Sequence, residues 1–245
     1  MKGSNSVSAS FYLDPAEIKV MKKAINVKKI VVVAICLIVF VIIVSVVLKL
    51  TFFKPKPITE IKKNEVYIGG SGFEYPESDQ SRYYVEFKDD GTYILMYDDS
   101  RRSQDSYWED GSLGVPVIEC YFGKYKRKNG NYLINPTRGC IAESKDAASV
   151  DKNLINFYKE ENYENDPAIV GMILYKTKKG QYILGNPTAD KKSFKKNRNY
   201  YLMYNKSDIK KLPSSPEEFR KQFKMDKKAE KERLAEQERL AKQSQ

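Results

Sequence analysis

The hydrophobic and polar residues of this chain follow three successive patterns. From Ile30 to Leu48 the residues are almost all apolar. Beyond about residue 58, apolar and polar positions alternate with a period of two, which is typical of β-strands. From residue 213 onward, charged residues dominate. We divide the chain into an N-terminal tail with a short juxtamembrane helix (1–29), the apolar segment (30–48), a Pro/Lys linker (49–57), a β-rich domain (58–212) and a charged helical tail (213–245).

The apolar segment contains no charge, proline or glycine, and Lys29 and Lys49 flank it. As a helix rising about 1.5 Å per residue, it comes close to the roughly 30 Å of a bilayer's hydrocarbon core. A buried core helix would carry polar residues on one face. A signal peptide would end in a small-residue cleavage site, whereas bulky and basic residues follow here. We therefore predict an uncleaved, single-pass transmembrane helix over Ile30–Leu48 that contacts membrane lipid.

The lysines beside this segment predict where the domain is located. Lys and Arg collect on the cytoplasmic side of membranes, and lysines outnumber acidic residues in the tail 1–29. Long C-terminal domains cross membranes largely regardless of their charge. We therefore predict a cytoplasmic N terminus and an extracellular domain at a bacterial cell membrane.

Three β-hairpins are predicted in the domain. In each, two alternating segments flank a short polar turn that ends in glycine, the residue that adopts a positive φ most readily. A fourth strand pair is expected between the last hairpin and residues 200–204. A tyrosine follows each turn glycine by two residues. The turn glycines are Gly91, Gly130 and Gly180, and the tyrosines are Tyr93, Tyr132 and Tyr182.

Two regions depart from the β pattern. The segment 149–165 has apolar residues at helical spacing and precedes Pro167, so we expect one helix packed on the sheet. The charged tail begins with a helix-start signal at Ser215, and Phe219 and Phe223 share a face that is expected to pack on the domain. The predicted fold class is a transmembrane helix followed by a mainly-β domain with one packed helix and a charged C-terminal helix. The domain is an antiparallel meander that forms a barrel or a sandwich.

Composition narrows the possible chemistry. The net charge is +11 and the chain contains no histidine. Its lysines are spread along the chain, which favours anionic lipid or wall polymer over nucleic acid as a partner. Without histidine there is no ordinary catalytic triad, and the commonest metal ligand is missing. No phosphate-binding loop or calcium loop has the required spacing. We predict no catalytic activity, no cofactor and no metal.

Cys120 and Cys140 lie at equal distances on either side of the turn glycine Gly130. Such positions fall opposite one another in an antiparallel pair, so a bridge is sterically reasonable. Thiols outside the cell tend to oxidise. We name the pair as a disulfide candidate; the alternative is two buried free thiols.

Residues 100–117 form the longest insertion without a periodic pattern. Long loops on rigid sheets often carry function, and this one contains Arg101, Arg102, Tyr107 and Trp108. We predict that these four residues form a binding loop. Many tyrosines crowd the neighbouring strands, which suits a binding surface but is also ordinary for strands.

Three segments resemble the lipocalin-like (calycin) domains of small anchored bacterial surface proteins. They are Phe-Lys-Asp-Asp-Gly-Thr-Tyr at 87–93, Gly-Lys-Tyr at 123–125 and Asn-Gly-Asn-Tyr-Leu-Ile at 129–134. The resemblance implies a closed or nearly closed antiparallel barrel. We expect a non-catalytic extracellular module that binds an envelope protein or polymer. The alternatives are a lipocalin-like barrel around a small apolar ligand and a hydrolase that uses two carboxylates.

Overall fold

The computed structural model describes residues 31–46, 54–107, 114–164 and 171–243. The chain divides into two compact units, Met1–Lys54 and Pro55–Gln245. The predicted juxtamembrane helix and Trp108 lie outside the described residues.

The first unit contains one described helix, α1, over residues 31–46. Its large apolar side chains are exposed, for example Phe40 at 63%. Within the described residues, no helix is long and apolar enough to cross a membrane. The prediction of a transmembrane helix over Ile30–Leu48 is therefore wrong: at ~1.5 Å per residue the described helix rises only about 24 Å, against a hydrocarbon core of roughly 30 Å. The predicted extracellular location stays a prediction.

The second unit is built mainly from antiparallel strands joined by short turns. Alternating apolar residues and glycine turns at Gly91, Gly130 and Gly180, all with positive φ, favour hairpins. The helices are α2 (Ala147–Val150), α3 (Pro216–Arg220) and α4 (Lys227–Gln243), with a 3-10 turn at Gln104–Ser106. The strands are β1 (Val66–Gly69), β2 (Arg82–Phe87), β3 (Thr92–Asp98), β4 (Val117–Lys128), β5 (Asn131–Glu143), β6 (Leu154–Ile155), β7 (Phe157–Asn162), β8 (Met172–Lys176), β9 (Tyr182–Gly185), β10 (Tyr200–Tyr204) and β11 (Lys224–Met225).

Eight of these strands close into an antiparallel barrel in the order β4-β3-β2-β1-β10-β9-β8-β5, with β5 pairing back to β4. The three predicted hairpins are confirmed as β2–β3, β4–β5 and β8–β9, and the fourth pair as β9–β10. Pairing of Ile68 with Tyr204 closes the barrel. Closure satisfies the backbone groups that an open sheet edge would leave unpaired. Of the two predicted architectures, barrel and sandwich, the domain therefore forms the barrel.

The predicted helix over 149–165 is wrong. Only the single turn α2 is helical there, and the chain continues as β6 and β7. Strand β7 extends the sheet along β5, with Phe157 opposite Glu143 and Asn162 opposite Arg138. The long strand β5 offers this edge because β8 covers only its first part, and this non-local pairing overrides the local helical spacing.

Alternate residues of the strands form two separate clusters. One cluster fills the barrel interior, as shown by contacts between strands that are not neighbours: the Phe87 ring of β2 lies 4.9 Å from the Tyr132 ring of β5, centroid to centroid. The other cluster lies outside the barrel and is covered by the C-terminal segment, including the fully buried Phe219 of α3. The predicted packing of Phe219 on the domain is confirmed. Helix α4 is largely exposed, and Leu234 and Leu240 face solvent.

Buried charges attach the segment 206–212 to the outside of the barrel. Glu86 is 2% exposed and accepts a hydrogen bond from the backbone N–H of Leu212 at 3.1 Å. The buried Arg82 forms an ion pair with Asp208 at 3.4 Å, and the Tyr84 hydroxyl donates to the same carboxylate at 2.8 Å. The segment therefore belongs to the barrel domain and seals its outer face.

Candidate ligand site at the open end of the barrel

One end of the barrel is filled by the residues that precede β1. Ile58 is buried, and its N–H donates to the Met203 carbonyl at 2.9 Å. The Lys63 ammonium lies 4.1 Å from the centroid of the Tyr125 ring and 5.7 Å from that of Phe87. Such cation–π contacts stabilise a charged group against aromatic faces, so this end is closed by an ordered plug.

The opposite end of the barrel contains a cavity of about 330 Å³. Six barrel strands line it, together with loop residues at the rim. This volume lies at the small end of the range for small-molecule sites, roughly 300–1,000 Å³. The lining residues are Tyr83, Tyr93, Leu95, Glu119, Tyr121, Ile134, Pro136, Tyr163, Gly171, Met172, Asn186, Asn199 and Tyr201.

Five of the thirteen residues that line the cavity are tyrosines. The rings of Tyr83 and Tyr201 lie 4.3 Å apart, and Tyr83 lies 4.7 Å from Tyr97. Tyr121 and Tyr163 stack at 6.3 Å with an interplanar angle of 27°. Burial raises the pKa of Tyr83 and Tyr121 well above their usual range, because the charged phenolate is disfavoured away from water. These phenols are therefore neutral at physiological pH, and their hydroxyl protons serve hydrogen bonds such as the one from Tyr121 to Glu119.

Glu119 is the only charged side chain among the described residues of the cavity wall. It is half-buried, and its Oε2 accepts a hydrogen bond from the Tyr121 hydroxyl at 2.6 Å. The Tyr163 hydroxyl donates in the same way to Glu161. In the part of the chain that the structure describes, no lysine or arginine forms an ion pair with Glu119. The wall thus combines ring faces, phenol donors and one carboxylate without a cationic partner.

Two glycines make this geometry possible. A Cβ at Gly139 would lie 2.6 Å from the Tyr163 ring, so only glycine lets that ring lie against β5 at the rim. A Cβ at Gly171 would lie 2.1 Å from the Ile134 carbonyl oxygen. The absence of a side chain therefore brings the start of β8 close to β5 beside the cavity.

Of the predicted binding-loop residues, Arg101, Arg102 and Tyr107 do not line this cavity, and Trp108 lies outside the described residues. Arg101 forms ion pairs with Asp98 at 2.8 Å and with Asp208 at 2.7 Å. Arg102 pairs with Asp99 at 3.0 Å and lies over the Tyr107 ring at 4.9 Å. Tyr107 is itself buried. Arg101, Arg102 and Tyr107 thus hold the loop onto the barrel, and their role in binding stays a prediction.

Cys120 and Cys140 lie directly opposite each other in the β4–β5 pair, on the outward face. Both are fully buried, and both are free thiols in the structure. Burial raises the pKa of each thiol, which makes the nucleophilic thiolate scarce at neutral pH. The register allows a bridge, and the predicted disulfide stays a prediction.

The sequence pattern indicates the tyrosines but not Glu119. Alternate residues of a strand face opposite sides of the sheet. Glu119 therefore lies on the same side of β4 as Tyr121 and Tyr125, which face the interior, and on the opposite side from Cys120. Both sides of β4 carry apolar residues, so the sequence alone does not tell which side faces the barrel interior. Among the described residues, no cluster of three or more acidic or cysteine side chains is arranged to hold a metal ion.

The fold and the cavity define a class: an antiparallel eight-stranded barrel with one plugged end and a cavity that the described residues leave open at the other, compatible with the calycin architecture that the sequence resemblance implies. Comparison with family models, curated proteins and solved structures finds no match to this chain.

Proposed function

We propose that this barrel binds a small organic molecule in its open end, without catalysis. The observation that carries the proposal is the wall that six of the eight barrel strands build around this cavity, with tyrosine rings inside and a plug at the other end of the barrel. Hydrophobic walls with a few placed polar groups are the usual composition of small-molecule sites. The described wall offers one carboxylate, whereas a two-acid hydrolase needs a facing pair.

The size of the cavity sets the expected affinity. A ligand that buries about 200 Å² of apolar surface gains about 5 kcal/mol at ~25 cal/mol per Å². Hydrogen bonds to the phenols add to this gain, and the loss of translational and rotational freedom offsets part of it. We therefore expect a Kd on the order of micromolar to millimolar for a well-fitting ligand.

The test uses N-phenyl-1-naphthylamine, a neutral probe that fluoresces in apolar sites, titrated into the full chain. Met172 lines the cavity, so Met172→Trp should fill it and weaken probe binding at least tenfold. Met225→Trp is the matched control, because Met225 lies on β11 outside the barrel and is equally half-buried. Equal probe binding by both variants would place the probe elsewhere and remove the cavity as its site.

A second candidate function is supported by a basic surface at the plugged end. The β4–β5 and β8–β9 turns and the loop before β10 meet there: the Lys176 N–H donates to Asn131 Oδ1 at 2.9 Å, and Asn131 Nδ2 donates to the Lys192 carbonyl at 3.5 Å. Clustered exposed cations attract polyanions. We propose an anionic, phosphate-bearing polymer of the cell envelope as its partner. The exposed cations are Lys126, Arg127, Lys128, Lys176, Lys178, Lys179 and Lys192.

Inorganic polyphosphate is the probe for this second function. The double substitution Lys178→Glu with Lys179→Glu should weaken binding at least tenfold at low salt. Its matched control is Lys227→Glu with Lys228→Glu on α4, which changes the net charge by the same amount at exposed positions. Equal losses in both variants would show that overall charge alone governs the interaction and would refute a localised polymer site.

A further inference from the structure

The ligand that fits this cavity has a chemistry that the wall itself defines. We infer that the barrel binds an organic ammonium compound, with its cationic group held between Glu119 and the tyrosine rings. This inference rests on the proposed small-molecule function and names the class of ligand.

The charge of the wall contrasts with the charge of the protein. The chain carries a net charge of +11, yet the charged group that the described residues place in the cavity wall is a carboxylate. A half-buried carboxylate without a cationic partner is unfavourable, because it loses hydration without gaining an ion pair. A positively charged ligand supplies that missing partner.

Tyrosines surround this carboxylate on several strands. Tyr97 of β3 pairs directly with Glu119 of β4 in the sheet register. Burial is the main cause of the raised pKa of the hydroxyls of Tyr83, Tyr97, Tyr121 and Tyr163, and the Glu119 charge adds to it. A negative charge close to a phenol opposes its ionisation, so these four hydroxyls lie within the electrostatic reach of Glu119.

The wall suits an organic cation better than a metal ion or an anion. Divalent metals require several oxygen ligands, and the described residues place one carboxylate here. An anion would meet Glu119 without any cation to hold it. Organic ammonium groups are weakly hydrated and bind to aromatic faces through the ring quadrupole. The neutral phenols keep those faces available, since they do not ionise at physiological pH.

The test compares choline with 3,3-dimethylbutan-1-ol, which has the same shape but carries a carbon in place of the charged nitrogen. Both compete with N-phenyl-1-naphthylamine for the full chain. We expect choline to bind about tenfold more tightly than the alcohol, as carboxylate and cation–π contacts together imply. Glu119→Gln should remove that preference while leaving alcohol binding within twofold.

Glu119→Gln keeps an acceptor for the Tyr121 hydroxyl, so the wall should retain its shape. Glu160→Gln is the matched control, because Glu160 is an exposed carboxylate on β7 that pairs with Arg138 at 3.2 Å. Unchanged choline affinity in Glu119→Gln, or equal binding of the alcohol and choline, would overturn the ammonium inference and leave the barrel as a site for neutral ligands. Absence of binding by the naphthylamine probe and both competitors would overturn the proposed function as well.

Discussion

Replacing Phe219 with alanine should destabilise the whole barrel domain, although Phe219 belongs to a five-residue helix near the end of the chain. Its side chain is fully buried on the outer face of the barrel. Its ring packs edge-on against Phe223 at 5.1 Å and lies 6.5 Å from Tyr158 of β7. A helix this short has no stability of its own, so α3 is held by this burial and by the Ser215 cap, whose hydroxyl accepts from the Glu218 N–H at 3.2 Å.

The magnitude follows from the loss of a fully buried aromatic side chain. Phe→Ala substitutions in protein cores cost about 3–5 kcal/mol through lost transfer energy and the cavity left behind. This is a large part of the roughly 5–15 kcal/mol that stabilises an ordinary domain. Urea denaturation of the full chain, followed by tyrosine fluorescence, measures the change. Phe73→Ala is the control, since Phe73 is 56% exposed and should cost less than about 1 kcal/mol.

Two outcomes distinguish a global effect from a local one. If α3 is part of the barrel's cooperative unit, the unfolding midpoint falls and trypsin digests the whole domain faster. If Phe219→Ala changes stability by less than about 1 kcal/mol, and trypsin merely removes residues after Lys221, the C-terminal segment is an independent appendage. That result would refute the conclusion that it seals the outer face.

Three further predictions test the buried groups and the cavity wall. The native protein should react quickly with a thiol reagent at the exposed Cys36 and slowly at Cys120 and Cys140, because these two thiols are buried and their pKa values are raised. Denaturation without reductant should then expose two more reactive thiols. If it does not, a disulfide joins Cys120 and Cys140. Burial raises the pKa of Tyr67 to about 12, so the stability that the Tyr67 hydroxyl contributes should be constant below about pH 10 and be lost towards pH 12, where the unfolded phenol ionises first. The difference in urea midpoint between wild type and Tyr67→Phe at each pH measures this contribution, and a difference that does not change between about pH 9 and pH 12 would contradict it. Gly171→Ala should lower the free energy of unfolding by about 1–3 kcal/mol through overpacking and weaken probe binding, because the new Cβ would lie 2.1 Å from a carbonyl oxygen of β5. Equal unfolding midpoints for wild type and variant would refute this close approach.

The sequence predicts local β structure well because the relevant signals are local. A turn glycine and two alternating segments specify each hairpin, and all three hairpins form with the expected pairing. Barrel closure has no such signal, since the pairing of Ile68 with Tyr204 joins residues far apart in the chain. The same reason explains the error at 149–165: residues there have helical spacing, but the free edge of β5 accepts them as β7.

The candidate site was only partly predictable. The sequence shows a crowd of tyrosines but does not separate Tyr83, which faces the cavity, from Tyr84, which faces outward and bonds to Asp208. It favoured the loop at 100–117 because of its length and its arginines. In the structure Arg101 and Arg102 form ion pairs with Asp98, Asp99 and Asp208. The pair with Asp208 joins distant parts of the chain, and the composition of the loop does not indicate it.

The inward and outward faces of the barrel differ more clearly in how their charged residues are paired than in their apolar residues. On the outward face, Arg82, Glu86 and Asp98 are almost fully buried, and each has an ion-pair partner in the structure. Buried charges persist in folded proteins when they are paired, so these three serve to fix the covering segments. Glu119 lies on the inward face, accepts one phenol hydrogen bond and has no ion-pair partner among the described residues. The outward charges therefore serve structure, whereas Glu119, like the half-buried Glu143 of β5, has no ion pair among the described residues; our inference assigns the neutralisation of Glu119 to the ligand.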